Sequence, residues 1–369
     1  MSGVLHLRSG SGLYGADRAL LALAAATRER VPLIGSLGRA SRTDELGEAA
    51  RALGLEAHAF RSERALDLAC AGSVAEVVRA RGVGLLHAHD FKALAVAVLA
   101  GARARVPVVA TFHGETDASA KLRAYEAVGR VLGNGTRGVA AVSQPLAARL
   151  RRWIHAAPVE FIPNGIEQVE PVSASERRTA RRALQIASGE RVLACIGRLS
   201  AEKGQAVLLR ALKKLESPPR TLLVGDGPER ASLEALARGL PVEFLGYRQS
   251  TREIYAAADC VVLPSLTEGL PMVALEAGLH HRALVATRVG ELPGLFGGDA
   301  ESLVAPGDVD ALSRALAQML SNARLRTSRA ERLHTSVQAR YSAGAMARAY
   351  EARLYAPALG ELAPSRASA

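Results

Sequence analysis

Short apolar runs alternate along the chain with longer stretches in which apolar residues recur every three to four positions. Val4–Arg8 precedes one such stretch at Asp17–Arg30, and Arg191–Ile196 precedes another at Gly204–Leu215. Short apolar runs indicate buried strands, and the longer spacing indicates amphipathic helices. Their alternation predicts βαβ units and an α/β fold with parallel sheets. The predicted strands lie near Val4–Arg8, Val31–Ser36, Glu56–Phe60, Gly84–His87, Val106–Thr111, Gly138–Val142, Val159–Ile162, Arg191–Ile196, Arg220–Val224, Val242–Leu245, Cys260–Leu263, Leu284–Thr287 and Ser302–Val304.

The pattern is interrupted near Pro163–Asn164–Gly165, and a polar stretch, Gln168–Glu190, follows. An Asn-Gly pair after a strand favours a turn and a hinge. The 369 residues suffice for two domains, which we expect over 1–165 and 166–342. Within the polar stretch, the pairs Arg177–Arg178 and Arg181–Arg182 have helical spacing. This spacing predicts a solvated helix face, with a membrane-surface patch as the alternative.

Composition refines this picture without changing it. Apolar residues make up 49% of the chain but aromatic residues only 4%, so the core must consist of Ala, Leu and Val. Cys70, Cys195 and Cys260 form no C-x-x-C pair, and their scatter favours a reducing compartment. The first residues do not resemble a signal peptide, and the longest uncharged apolar stretch, Ala93–Ala102, is too short to span a bilayer. We expect a cytoplasmic protein, or one at the inner face of the cell membrane.

The formal net charge is +11, and the basic excess is spread over both halves. Such a charge suggests anionic partners, although an arginine-rich composition can also arise from genome bias. Nucleic-acid readers combine basic patches with stacking aromatics or a recognisable module, and neither is visible. Phosphate-bearing substrates and an anionic membrane surface therefore remain as expected partners, and nucleic acid does not.

Two carboxylates, Glu268 and Glu276, bracket a Gly-Leu-Pro-Met turn that follows the predicted strand Cys260–Leu263. A loop that turns into a helix presents unpaired N–H groups, which suit an anion such as a diphosphate. One acid lies on the loop and the other on the first turns of the helix. This spacing lets the two acids reach different parts of one ligand.

This run resembles the E-x7-E motif of retaining GT-B glycosyltransferases, in particular family 4. Residues 162–165 (Ile-Pro-Asn-Gly), 197–204 (Gly-Arg-Leu-Ser-Ala-Glu-Lys-Gly) and 224–228 (Val-Gly-Asp-Gly-Pro) occur in the family's order and at its spacings. The resemblance covers nearly the whole chain and is strongest over 160–300. It implies the GT-B fold, in which two Rossmann-like domains face each other across a deep interdomain cleft. The N-terminal domain would bind the acceptor, the C-terminal domain would bind the donor, and a helix at about 343–360 would pack back on the N-terminal domain.

The resemblance also assigns roles. Arg198 and Lys203 would neutralise the leaving diphosphate, Glu268 would face the donor sugar and the reacting centre, and Glu276 would bind the ribose hydroxyls. His113 would lie close to the donor sugar, so the expected catalytic residues are Glu268, His113, Arg198 and Lys203. The remaining expected donor-binding residues are Gly12, Gly15, Gly197, Gly225, Asp226, Tyr247, Arg248, Gly269, Leu270, Pro271, Met272 and Glu276.

Residues 10–15 (Gly-Ser-Gly-Leu-Tyr-Gly) follow the first strand and also fit G-x-G-x-x-G, the dinucleotide-binding motif. This supports an alternative, an NAD(P)-dependent oxidoreductase. That motif needs an acid at the end of the second strand, where this chain has Arg39, which could meet only a 2′-phosphate. The family has a similar Gly-rich loop that often ends Gly-Ala-Glu-Arg, and here residues 15–18 read Gly-Ala-Asp-Arg.

Two further patterns suggest metal binding. His87 and His89 stand at the end of a predicted strand with residue types that ligate zinc. No third or fourth ligand group is evident in the sequence, and the family has a similar pair near the acceptor, so we interpret them as structural or acceptor-facing. Asp308 and Asp310 resemble a metal-binding D-x-D motif, but they precede a predicted helix, Ala311–Leu320. Asp is a common N-cap residue at the start of a helix, so we interpret the pair as capping. We expect no catalytic metal and no cofactor.

The expected function is therefore transfer of a sugar from a nucleotide-diphospho-sugar to a glycan or lipid-linked acceptor with retention of configuration. A UDP-sugar is favoured over a GDP-sugar as the donor. The expected enzyme is of the hexosyltransferase type, and surface polysaccharide or lipopolysaccharide assembly is the expected context. Besides the oxidoreductase, two alternatives are a nucleotide-sugar epimerase, which would not carry the Glu268–Glu276 block, and a non-catalytic binding subunit, which would show no turnover.

Overall fold

A computed structural model describes residues 2–9, 13–39, 44–64, 66–114, 120–297 and 303–361. The chain divides into two compact units, Met1–Glu167 with Ser342–Ala369, and Gln168–Tyr341. Three subjects of the sequence predictions lie outside the described residues: the motif glycines Gly10 and Gly12, Ser302, and the tail Pro364–Ala369.

The first unit contains, within its described residues, a seven-stranded parallel sheet of order β3-β2-β1-β4-β5-β6-β7. The strands are β1 (Gly3–Ser9), β2 (Val31–Gly38), β3 (Glu56–Arg61), β4 (Val83–Ala88), β5 (Val108–Phe112), β6 (Gly138–Ala141) and β7 (Val159–Phe161). The helices are α1 (Gly15–Ala26), α2 (Glu45–Ala52), α3 (Leu68–Ala80), α4 (Phe91–Ala104), α5 (Ala120–Gly133), α6 (Gln144–Leu150) and, numbered in chain order after those of the second unit, α15 (Ala343–Tyr350) and α16 (Ala356–Leu359).

The second unit contains, in the part that the structure describes, a six-stranded parallel sheet of order β10-β9-β8-β11-β12-β13. The strands are β8 (Val192–Ile196), β9 (Arg220–Val224), β10 (Val242–Phe244), β11 (Cys260–Leu263), β12 (Ala283–Thr287) and β13 (Leu303–Val304). The helices are α7 (Ala174–Ala183), α8 (Gln205–Leu212), α9 (Arg230–Leu236), α10 (Arg252–Ala257), α11 (Met272–Leu279), α12 (Leu292–Leu295), α13 (Val309–Ser321) and α14 (Ala323–Arg340).

The central strands of both sheets are buried on their two faces, as is typical of parallel sheets, whereas the edge strands β3 and β10 are partly exposed. In β1, Leu5 and Leu7 belong to the core cluster on one face of the sheet, whereas Val4 belongs to the cluster that includes Tyr350 and Tyr355. Alternate residues of a strand point to opposite faces. The α15 segment therefore covers the face toward which the even-numbered residues of β1 point.

The C-terminal segment is attached to the first unit by charge as well as by apolar packing. A turn of π-helix, Glu351–Tyr355, joins α15 to α16. Arg30 donates from Nε and from an Nη to the two carboxylate oxygens of Glu351, at 3.1 and 2.6 Å, and it also pairs with Glu361. Arg30 and Glu351 are both buried. Such a bidentate pair fixes the π-helical turn against the residues that follow α1.

Most sequence predictions of elements are confirmed. All predicted strands are present, with β13 described from Leu303 onward. Helix ends were less accurate: α1 ends at Ala26 rather than at Arg30, because Thr27 is extended and its hydroxyl donates to the carbonyl of Leu23. The helix predicted over Gly204–Leu215 spans only Gln205–Leu212, and the three cysteines are buried and unpaired.

The prediction of a solvated arginine face on α7 is wrong for Arg177 and Arg181. Arg177 donates to the carbonyls of Ala256, Ala257 and Ala258 and pairs with Asp259 at 2.8 Å. Arg181 donates to the carbonyl of Ala257. The last carbonyls of a helix have no partners within it, and these guanidinium groups bind those at the end of α10.

No helix in the described part of the chain combines the length and the apolar character needed to cross a membrane.

Candidate functional site

The chemistry-bearing loops of the second unit meet at one edge of its sheet. The strand order reverses direction between β8 and β11, so the loops that follow these two strands flank a switch point, where open α/β sheets bind their ligands. Residues 197–204 follow β8, residues 225–228 follow β9, and residues 264–271 follow β11. Most of the donor-site residues expected in this unit lie on these loops.

Lys203 and Glu268 are in direct contact at this edge. The Nζ of Lys203 donates to Oε1 of Glu268 at 2.6 Å, and the hydroxyl of Ser265 donates to the same oxygen at 2.8 Å. The side chain of Glu268 is 8% exposed and that of Lys203 is 28% exposed. Arg198 is exposed, and its carbonyl accepts a hydrogen bond from Gln205 at 2.8 Å. One cation is therefore held in place, and a second lies on the same loop.

Glycines bring the backbones of these loops together. Gly225 has φ of +134°, and a Cβ there would lie 2.0 Å from the carbonyl oxygen of Gly197. Gly204 has φ of +65°, and a Cβ there would lie 2.1 Å from the carbonyl oxygen of Pro264. No other residue fits such positions without displacing the opposing chain. The backbones of neighbouring loops thus pack directly against each other at this edge.

The N-terminus of α11 opens on the same loop. Pro271 is the N-cap and provides no side-chain hydrogen bond to the helix, which begins at Met272. Leu270, Pro271 and Met272 are buried, and the carbonyl of Gly269 accepts from the N–H of Glu291 at 2.8 Å. A helix start without a side-chain cap favours an anion, so the expected phosphate-binding turn has the required backbone.

Glu276 lies further along α11 and is largely buried. The hydroxyl of Tyr255, a fully buried residue of α10, donates to Oε2 of Glu276 at 2.6 Å. Sequence reasoning singled out Glu276 but missed Tyr255, since nothing in the sequence pairs a tyrosine with an acid 21 residues later.

The residues expected near the nucleotide lie on the β9 and β10 side of this edge. Asp226 is exposed, and its Oδ1 accepts from the N–H of Gly227 at 2.8 Å. The N–H of Gly225 donates to the carbonyl of Gly246 at 2.8 Å, which joins the two loops. Tyr247 and Arg248 follow, both exposed, with Arg248 3.9 Å from Glu253.

The first unit has a corresponding edge, because its sheet reverses between β1 and β4. Gly15 is the first residue of α1. Arg8, at the end of β1, donates from Nε to Asp17 at 2.9 Å and from an Nη to the carbonyl of His89 at 2.8 Å. It also lies 3.6 Å from Asp90. Arg8 was not predicted, although a charged residue that ends a buried strand was the available signal.

Four histidines line the interior next to this edge. His6 Nδ1 lies 3.1 Å from His89 Nε2, and His89 Nδ1 lies 3.2 Å from His113 Nε2. Burial lowers the pKa of His6 and of His113 to about 3, and that of His87 and His89 well below the usual value. All four rings are therefore neutral near neutral pH.

His87 belongs to a separate hydrogen-bonded group. Its Nδ1 is 2.8 Å from the hydroxyl of Tyr355 and its Nε2 is 2.7 Å from that of Thr111, which also contacts Tyr350. Nitrogens of His6, His87 and His89 lie within 4.8 Å of one another, a spacing that a metal ion could bridge. Because both His87 nitrogens already have hydroxyl partners, the three rings form hydrogen bonds rather than a converging ligand set.

Two other patterns have structural explanations. Asp308 caps α13 and accepts from the N–H of Ala311 at 2.8 Å, as the capping interpretation predicts. Asp310 is exposed and pairs with Lys214. His280 is the C-cap of α11.

Comparisons with known proteins match both halves of the chain. The profile described as Glycosyltransferase Family 4 matches residues 15–169, and that described as Glycosyl transferases group 1 matches residues 190–322. A putative teichuronic acid biosynthesis glycosyltransferase, TuaC, of Bacillus subtilis is 30% identical over 272 residues, covering 72% of this chain and 68% of that protein. The chain belongs to the family 4, group 1 glycosyltransferases.

Other matches agree with this assignment. The N-acetyl-alpha-D-glucosaminyl L-malate synthase of Bacillus anthracis is 26% identical over 303 residues, covering 78% of this chain and 79% of that protein. The crystal structure of Anabaena Alr3699/HepE in complex with UDP-glucose has a TM-score of 0.84 at 23% identity, covering 94% of this chain and 98% of that one. The two parallel-sheet units therefore have the Rossmann-like folds of GT-B glycosyltransferases, and the oxidoreductase alternative finds no support.

Proposed function

We propose that this glycosyltransferase transfers a hexosyl group from a nucleotide-diphospho-sugar to a glycan or lipid-linked acceptor with retention of configuration. We favour a UDP-sugar over a GDP-sugar as the donor. The observation that carries the proposal is the contact between Lys203 and Glu268, at 2.6 Å, beside the start of α11 that lacks a side-chain cap. The HepE structure, which contains UDP-glucose, supports the donor class.

The leaving diphosphate would bind Lys203, Arg198 and the first N–H groups of α11. Departure of a diphosphate develops negative charge, and fixed positive groups stabilise that charge in the transition state. Arg198 offers a planar fork and Lys203 a compact charge. Turnover would need no metal, since these groups provide the neutralisation. The turn Gly269–Met272 would direct backbone N–H groups at phosphate and sugar.

Glu276 would accept hydrogen bonds from the ribose hydroxyls. An ionised carboxylate has about four acceptor positions, and Tyr255 occupies one of them. We assign the nucleotide pocket to Gly197, Gly225, Asp226, Tyr247 and Arg248 in addition. In the first unit, we assign His113 to a sugar hydroxyl, and Gly12 and Gly15 to donor binding.

Glu268 would position the donor sugar rather than attack it. Its Oε1 accepts from both Lys203 and Ser265, and a carboxylate so engaged is a weaker nucleophile. Retention would then follow from attack of the acceptor on the face that the diphosphate leaves, with a departing phosphate oxygen as the base. We assign acceptor binding to residues 1–165 and donor binding to residues 166–342.

We place the reaction in surface polysaccharide or lipopolysaccharide assembly. Besides TuaC, the Rhizobium meliloti protein named Lipopolysaccharide core biosynthesis glycosyltransferase LpsE is 36% identical over 165 residues, covering 43% of this chain and 48% of that protein. An acceptor carried on a lipid would require peripheral contact with an anionic membrane, which the net charge of +11 favours. Flotation with phosphatidylglycerol vesicles tests that contact.

Release of nucleoside diphosphate from UDP-glucose, UDP-galactose, UDP-N-acetylglucosamine and GDP-mannose tests the donor class. We expect one UDP-sugar to be consumed, and Lys203→Ala and Glu276→Gln to lose most of this activity. Lys214→Ala is the matched control, because Lys214 is exposed and pairs with Asp310. Equal activity of all three variants and the wild type would refute the site. A coupling constant of the anomeric proton that shows the opposite anomeric configuration in the product would refute retention.

A further inference from the structure

Three imidazole rings of the first unit form an unbranched hydrogen-bonded chain, His6–His89–His113. The links are Nδ1 of His6 to Nε2 of His89, at 3.1 Å, and Nδ1 of His89 to Nε2 of His113, at 3.2 Å. The two outer nitrogens, Nε2 of His6 and Nδ1 of His113, are buried and have no hydrogen-bond partner among the described residues. Each ring comes from a different strand or strand end, β1, β4 or β5.

Counting protons restricts this chain to two states. A neutral imidazole carries one N–H, so three neutral rings carry three. Two of these lie within the links, and the third must lie at one outer nitrogen. The spare N–H is therefore either on Nε2 of His6 or on Nδ1 of His113. In going from one state to the other, the donor and the acceptor exchange places in both hydrogen bonds. Arg8 donates to the carbonyl of His89, and its positive charge adds to burial in lowering the pKa of His89 and of His113.

The surroundings of the two ends differ. His6 is fully buried within β1, and its ring faces those of His87 and Tyr355, with centroids 5.1 and 6.5 Å away. His113 follows β5 and is partly exposed. A buried N–H without an acceptor is costly. Both outer nitrogens are buried, but only His113 is a partly exposed residue, so a ligand could bring an acceptor to that end and not to His6. The spare N–H is therefore favoured on His113.

We propose that His6 and His89 are positioning residues that hold the spare N–H on Nδ1 of His113, so that His113 meets its ligand as a hydrogen-bond donor. The acceptor would be an oxygen of the sugar. This choice of ligand rests on the proposed function, whereas the tautomer does not. Supporting side chains that fix the orientation and proton of a functional group are a recurrent feature of preorganised sites.

The tautomer can be measured directly in the full-length wild-type protein. With ¹⁵N-labelled histidine, long-range ring correlations distinguish a protonated from a bare nitrogen, and the loss of signals in His113→Gln assigns this ring among the nine histidines. We expect protonated Nδ1 and bare Nε2 in His113 at pH 7.5, without any ligand. The opposite tautomer would overturn the proposal. So would a stoichiometric metal ion bound by these imidazoles in the purified protein.

Two substitutions of His89 separate positioning from packing. His89→Asn keeps an N–H donor where Nδ1 stood, whereas His89→Leu removes it. We expect His89→Leu to release His113 to the other tautomer and to lower kcat of sugar transfer about tenfold, which is the order of one hydrogen bond. KM should change less than about twofold, and His89→Asn should restore most of kcat and the wild-type tautomer.

His155→Leu is the control, because His155 is an exposed residue of the same unit. Identical His113 spectra in His89→Leu and the wild type would overturn the proposal. If no donor sugar is consumed by any form, the proposed function fails, but the wild-type and His89→Asn spectra still decide the tautomer. The same spectra decide it if His89→Leu does not fold.

Discussion

Mild acid should destabilise the first unit, because this unit buries neutral histidines. His6, His87 and His89 are almost completely buried, and burial lowers the pKa of each far below 6.5. In the unfolded chain each returns to a pKa of about 6.5. Below that pH the unfolded state binds more protons than the folded state, so the free energy of unfolding falls as the pH decreases.

The magnitude follows from the number of rings. Each buried histidine removes about 1.4 kcal/mol of stability per pH unit once the pH is well below 6.5. Between about pH 7 and pH 5.5, the three together should lower the free energy of unfolding by about 4 kcal/mol, and His113 acts in the same direction. That is a large part of the ~5–15 kcal/mol that stabilises a typical domain.

Urea unfolding at a series of pH values measures this loss. The chain has a single tryptophan, Trp153, which lies in the first unit, so its fluorescence reports on that unit. We expect His87→Asn to reduce the number of protons taken up on unfolding by one, whatever its effect on the free energy of unfolding at pH 7. His155→Asn should leave the pH dependence unchanged, because His155 is exposed in the folded protein. A loss below about 1 kcal/mol between pH 7 and 5.5 would refute the reasoning.

Three further predictions concern single contacts. Arg30→Leu should destabilise the first unit by about 3–5 kcal/mol, because it leaves the carboxylate of Glu351 buried without its partner, and a double variant with Glu351→Leu should recover part of this loss in thermal unfolding. Gly225→Ala should lower the melting temperature of the second unit and weaken binding of the nucleoside diphosphate in calorimetry, because its Cβ would lie 2.0 Å from a carbonyl oxygen. Tyr255→Phe should weaken that binding about tenfold, the equivalent of one hydrogen bond to Glu276, whereas an unchanged affinity would refute the assignment of Glu276 to the ligand.

Much of the fold could be predicted from sequence because its elements are marked by local patterns. An apolar run such as β8 is buried along its entire length, and its strand character follows from that run alone. Helix ends were harder, since they depend on a few local contacts such as the hydroxyl of Thr27 on the carbonyl of Leu23. The α7 prediction failed because the partners of Arg177 are carbonyls about 80 residues away.

The candidate site shows the same division. The motif at 197–204 and the acids Glu268 and Glu276 could be singled out because each has a recognisable neighbourhood in sequence. The partners that orient them could not, since Tyr255 reaches Glu276 only through the packing of α10 against its neighbours. The histidine chain was likewise invisible, because β1, β4 and β5 come together only in the folded sheet.

The arginines at helix ends change how the charge of the protein should be understood. Arg177 and Arg181 bind the last carbonyls of α10, and Arg326 binds those of Met319 and Leu320 near the end of α13. Their charges offset the negative ends of these helices. Counterion release from an anionic partner depends on the charges that it actually meets. Its affinity should therefore decrease with ionic strength less steeply than the formal charge of +11 suggests.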